Sequence, residues 1–171
     1  MANDNFARIS TGFVHPTLGY RHLFSYADMM SEDQLRELGS EAEFVSVAHY
    51  ESRRWIVNSA GVASIVPRRG YRVHGVIWRL PEVEMAALDI HLDVPQVFDR
   101  YGALAYLPNG RRITAEYYVA RNNELGSATP EYLEPILKTG QQFGFPESYL
   151  EEISGWCNAP IGSQQRRISL N

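Results

Sequence analysis

Apolar and polar positions along the chain alternate in blocks whose spacing assigns most elements. His22 to Tyr26 is a short apolar run that reads as a buried strand and stops abruptly at Ala27-Asp28. In SEDQLRELG, Ser31 stands three residues before Gln34 as a capping box and Gly39 supplies a stop, which predicts a short helix. EFVSVAHYESRRWIVNS and GVASIVP are rich in β-branched and aromatic residues and are punctuated by Gly61 and Pro67, so two strands are expected; YRVHGVIWRL, following Gly70, predicts another. Pro81 opens PEVEMAALD at a helix N-terminus, with Glu82 and Glu84 in the first turn, where the dipole favours carboxylates. MAALDIHLDVP, from Met85 to Pro95, begins as the end of that helix and finishes as a proline-stopped loop.

Further along, RYGALAYL and RRITAEYYVA flank Pro108-Asn109-Gly110, and Asn-Gly between two strand-like runs predicts an antiparallel hairpin. TPEYLEPILKTGQQFG reads as a helix started by Thr129-Pro130 and closed at Gly140 or Gly144, and PESYLEEIS as another. Strands gather early and centrally and helices late, which predicts an α+β fold built on a curled sheet or small barrel. Residues 1–20, interrupted by Gly12, Pro16 and Gly19, are expected to form an arm before a domain spanning 21–156. Residues 157–171, without periodicity, are expected to form a tail.

Composition narrows the function classes. A chain of 171 residues fits one domain, and a length of about 150 buries close to 70% of its unfolded surface, so a core forms without staples. A net charge of −4, with arginine pairs scattered at 68–69, 111–112 and 166–167, lacks the concentrated positive face that nucleic acid requires. The single Cys157 excludes an intramolecular disulfide, no signal-peptide pattern opens the chain, and no apolar run approaches the ~18 residues that span a membrane. A cytoplasmic protein with no membrane partner is expected; no pattern fixes its oligomeric state.

The five histidines show no metal-ligand spacing and the glycines fall singly at turns, so neither a metal site nor a phosphate cradle is expected. Trp55, Trp78 and Tyr118 read first as packing aromatics. What remains are LFSYADMM and MAALDIHLDVP, two irregular segments that each follow a buried element. Rigid scaffolds place binding groups in such segments, and together they point to a small-molecule pocket.

LFSYADMM, GVIWRLPEVEMAALDIHLDVPQVFDR, GRRITAEYYVA and TPEYLEPILKTGQQFGFPESYLEEI, taken in order from residue 22 to 153, resemble the γ-glutamylcyclotransferase-like, or AIG2-like, family. The resemblance implies a small mixed β-barrel-like sheet with flanking helices and a reaction that needs no cofactor. In that reaction the α-amino group of a γ-glutamyl compound attacks its own γ-carbonyl, releasing 5-oxoproline and an amine, with a glutamate moving the proton. Tyr26, Ala27, Asp28, Met29 and Met30 match the family's Tyr-Gly-Ser-Asn-Leu turn, whose N–H groups hold the glutamyl part. Gly140, Gly144, Phe145, Pro146 and Tyr149 match its C-terminal pattern. Leu92 falls at the position of the catalytic glutamate and Phe98 at that of a tyrosine, while Ala27 lacks the backbone freedom of the family glycine.

The resemblance therefore sets Tyr26, Ala27, Met29, Met30, Leu92, Phe98, Tyr118 and Tyr132 as the substrate-binding wall. Asp93 and Asp28 become the candidate replacements for the missing acid/base, with Asp89 and His91 beside them. In an extended segment Asp93 points to the face opposite Leu92, so it serves only if the loop is shifted. Two readings follow. One is a divergent cyclotransferase-like enzyme acting on a γ-glutamyl or related amino-acid amide. The other is a catalytically inactive small-molecule-binding or protein-interaction domain on the same fold.

Overall fold

A computed structural model describes residues 19–157. The expected arm, save Gly19 and Tyr20, and the expected tail, save Cys157, lie outside the described residues. β1 (Tyr20–Ser25), β2 (Glu43–Val57), β3 (Ala63–Pro81), β4 (Phe98–Tyr106) and β5 (Arg112–Ala120) close into a barrel in the order β1-β3-β2-β4-β5. Neighbours pair antiparallel except at the seam, where β1 and β5 run parallel with Leu23 opposite Glu116. Among the described residues four α-helices flank this mixed sheet: α1 (Glu32–Glu37), α2 (Glu82–His91), α3 (Pro130–Gln142) and α4 (Glu147–Ser154). The expected α+β barrel is the observed architecture. No helix among the described residues is long and apolar enough to cross a membrane.

The hairpin at Pro108-Asn109-Gly110 joins β4 to β5 in register from Phe98↔Ala120 to Tyr106↔Arg112. The barrel interior is aromatic: Phe24 and Tyr117 flank Tyr50 at ring-centroid distances of 4.3 and 4.9 Å, and the Tyr50 hydroxyl donates to the Ala115 carbonyl at 2.8 Å. Trp55, Trp78 and Tyr118 are buried, as packing aromatics should be.

Three local expectations change. GVASIVP and YRVHGVIWRL are one strand, because the β2–β3 ladder leaves register after Arg53↔Pro67 and resumes at Glu51↔Arg72. Pro67 borders that excursion and Gly70 (φ +84°) lies within it, and neither ends the strand. Ser31 precedes α1 without a side-chain capping bond, so the capping box is not made. Finally, α2 runs to His91 with Leu92 at its C-cap, so the segment read as extended is helical and then turns tightly.

Gly75 is required where β3 passes β1. A Cβ there would lie 2.4 Å from the Ser25 carbonyl oxygen and 2.6 Å from the Phe24 ring. This close approach fixes the end of β1 at the place where the candidate site begins.

Candidate functional site

Strand β1 ends in Ser25, and the chain turns through Tyr26 and Ala27 into a short 3-10 turn, Asp28–Met30. Two long-range bonds clamp this turn: Trp55 Nε1 donates to the Tyr26 carbonyl at 3.0 Å, and the Tyr26 hydroxyl donates to the Tyr118 carbonyl at 2.5 Å. Burial pushes the Tyr26 phenol well above its ordinary pKa, so it stays protonated and donates.

Beside the turn lies a cavity of about 210 Å³. Its wall is built from Phe24 to Met29, from Val62 and Ala63 at the β2–β3 connection, and from Leu92, Phe98, Tyr118 and Tyr132. Ligand pockets for drug-sized molecules run roughly 300–1,000 Å³, so this one suits a smaller guest. The wall is mostly hydrocarbon and aromatic.

Of the residues singled out in the sequence, Tyr26, Ala27, Asp28, Met29, Leu92, Phe98, Tyr118 and Tyr132 meet at this cavity. Met30 does not line it; the side chain is fully buried behind the turn. Nor does Asp93, which is exposed and takes a left-handed conformation (φ +50°) just past the end of α2. Leu92, at the C-cap of α2, lines the cavity, and Asp93, the next residue, does not. Phe24 and Ser25, inside the singled-out LFSYADMM segment but not named as site residues, also line the wall, as do Val62 and Ala63. Nothing local marks Val62 and Ala63, which arrive through the β2–β3 hairpin.

Asp89 is engaged elsewhere. Its Oδ1 accepts the Tyr118 hydroxyl at 2.9 Å and pairs with Arg100 Nε at 3.1 Å. Arg100 continues to Glu116 at 2.9 Å, and Arg21 links Glu116 (3.8 Å) to Glu82 (2.5 Å). Burial, then the hydrogen bond to Asp89, raises the Tyr118 pKa, so that phenol is a permanent donor to the carboxylate. His91 is exposed. Tyr132 is pushed up to about 12 by burial and by Asp28, and its oxygen accepts the Ala63 N–H at 3.0 Å. Among the described residues no group of three or more His, Cys, Asp or Glu gathers as a metal site.

Residues 72–153 match the AIG2-like family. A γ-glutamylcyclotransferase of Mus musculus is 24% identical over 144 residues, covering 76% of this chain and 75% of the mouse protein. A solved γ-glutamyl cyclotransferase superposes with a TM-score of 0.75 at 20% identity, over 86% of this chain and 99% of its own. An uncharacterized protein from Homo sapiens gives the same values. A crystal structure of an AIG2-like protein from Mus musculus superposes at 0.54 with 18% identity, over 67% of this chain and 83% of that one. At these identities the likeness between structures carries the fold.

Proposed function

We propose that this chain, which matches the AIG2-like family over residues 72–153 and has the γ-glutamylcyclotransferase fold, takes a γ-glutamyl or related amino-acid amide in the cavity, with Asp28 as the acid/base of its cyclisation. One observation carries this reading: of the twelve residues that line the cavity, Asp28 alone bears a carboxylate. Asp93, the other candidate, is exposed and not among them. The substrate's α-amino group attacks its own γ-carbonyl carbon, Asp28 accepts the ammonium proton and returns it to the departing amine, and 5-oxoproline and the amine leave. The Met30 N–H donates to the Ala27 carbonyl at 3.0 Å, and in this reading the N–H groups of Asp28 and Met29 serve the substrate's oxygens.

A second reading has its own support. Leu92 and Phe98, at positions where the family resemblance sets a glutamate and a tyrosine, present only hydrocarbon to the cavity. On this reading the fold binds a small molecule without transforming it.

Release of 5-oxoproline from a panel of γ-glutamyl amino acids and γ-glutamylamines separates the two. The first reading expects turnover by the natural chain, a loss of about 10²- to 10⁴-fold in Asp28→Asn, and little change in Asp93→Asn. An inert natural chain whose Leu92→Glu variant gains activity would establish the second.

A further inference from the structure

Among the described residues three buried side-chain polar atoms have no hydrogen-bond partner: Ser25 Oγ, Arg54 Nη1 and Trp78 Nε1. Only Ser25 belongs to a residue that lines the cavity. Its place there follows from register. Leu23 lies opposite Glu116 across the parallel seam, so two residues on Ser25 is level with Tyr118 and on the same face of the sheet. Ser25 is 2% exposed, yet its hydroxyl meets no hydrogen-bond partner among the described residues, whereas the equally buried Ser64 accepts the Ala120 N–H at 3.1 Å. Leaving a buried hydroxyl unpaired opposes folding, so this one is explained by a partner from outside the protein.

Tyr132 supplies a second hydroxyl. Its oxygen accepts the Ala63 N–H, which leaves its own proton to be donated. Two residues of the cavity wall thus carry hydroxyl protons to donate, and no Lys, Arg or His is among the residues that line it. At these hydroxyls an uncharged amide or lactam carbonyl would find donors without the desolvation penalty a carboxylate placed there would meet, so a γ-glutamyl ligand would set its γ-carbonyl here and its α-carboxylate elsewhere.

We propose that Ser25, seconded by Tyr132, is the specificity-determining residue of this cavity and selects its ligand through an uncharged carbonyl oxygen, that of an amide or lactam. This rests on the reading of the cavity as an amino-acid-amide site and names the ligand atom it grips. In a γ-glutamyl compound that atom is the γ-carbonyl oxygen, which becomes the lactam oxygen of 5-oxoproline.

The test titrates the natural chain, Ser25→Ala and Ser25→Cys with the neutral lactam 2-pyrrolidinone and, separately, with γ-glutamylalanine, following amide resonances by NMR. Thermal unfolding is recorded without ligand. Ser25→Ala should weaken lactam binding about 3- to 10-fold while its Tm is unchanged or higher, because an unpaired hydroxyl has been removed; Ser25→Cys, a poorer donor of similar size, should fall between. Affinity equal to that of the natural chain in both variants overturns the assignment. So does a drop in Tm that accounts for the weakened binding, since Ser25 would then be structural. If the natural chain binds the lactam through Ser25 and ignores γ-glutamylalanine, the γ-glutamyl reading fails and this inference stands. If it binds neither probe, both fail.

Discussion

Arg54 is 4% exposed and pairs through Nε with Glu152 at 3.1 Å, its guanidinium lying 4.8 Å over the Tyr71 ring and 6.0 Å from that of Trp156. Removing the carboxylate strands a buried cation whose Nη1 already lacks a hydrogen-bond partner among the described residues. Glu152→Gln should therefore cost about 2 kcal/mol of stability in urea unfolding, while Glu82→Gln, whose pair with Arg21 joins two roughly half-exposed side chains, should cost less than about 1 kcal/mol. Equal losses in the two variants would refute the argument. At this scale the sequence was informative about which residues to watch and silent about what they touch. The turn at Tyr26–Met30 and the segment around Leu92 were legible as irregular stretches after buried elements. That Asp93 is left out of the cavity wall was not, because the helix runs on to His91 and Asp93 takes a left-handed conformation just after it. The Arg54–Glu152 pair spans 98 residues and leaves no local trace.

Helix α3 shows how an element carries a site residue. Thr129 caps it, its side chain accepting the Tyr132 N–H at 3.3 Å, and Pro130 occupies the first turn. The cap holds the backbone of the residue whose ring lines the cavity and whose hydroxyl meets Ala63. Thr129→Ala should lower stability by about 1 kcal/mol, seen as a lower Tm by circular dichroism, and Thr129→Ser should restore it. A Thr129→Ala Tm equal to that of the natural chain would show that Pro130 alone starts the helix. This helix was readable because Thr-Pro is a local start signal. The unity of β3 was not: Pro67 and Gly70 are genuine break signals, and only pairing with β2 on both sides of the excursion keeps the strand whole.

For the whole molecule, the closing order of the strands lay beyond local reading, since the β1–β5 seam joins Leu23 to Glu116 and no motif encodes that contact. The same non-local packing places His74 of β3 between the barrel and the α3–α4 turn. Its ring lies 5.7 Å from that of His49 on β2, 5.8 Å from Phe145 and 4.8 Å from Tyr149 of α4, with Arg72 and Glu51 the nearby charges. Burial, then His49 and Arg72, push the His74 pKa down to about 4, against the partial opposition of Glu51. In the unfolded chain this imidazole titrates near 6.5. Above that value both states hold it neutral and its contribution is complete. Between about 6.5 and 4 the unfolded chain takes up the proton first, so stability falls with pH; below 4 both states are charged and the contribution is spent. His22, lowered mainly by burial, acts in the same direction. The urea midpoint should accordingly be lower at pH 5 than at pH 7.5, and His74→Gln, which cannot titrate, should narrow that gap. Persistence of the full gap in His74→Gln would assign the acid sensitivity to other groups and leave the imidazole between barrel and helices as packing alone.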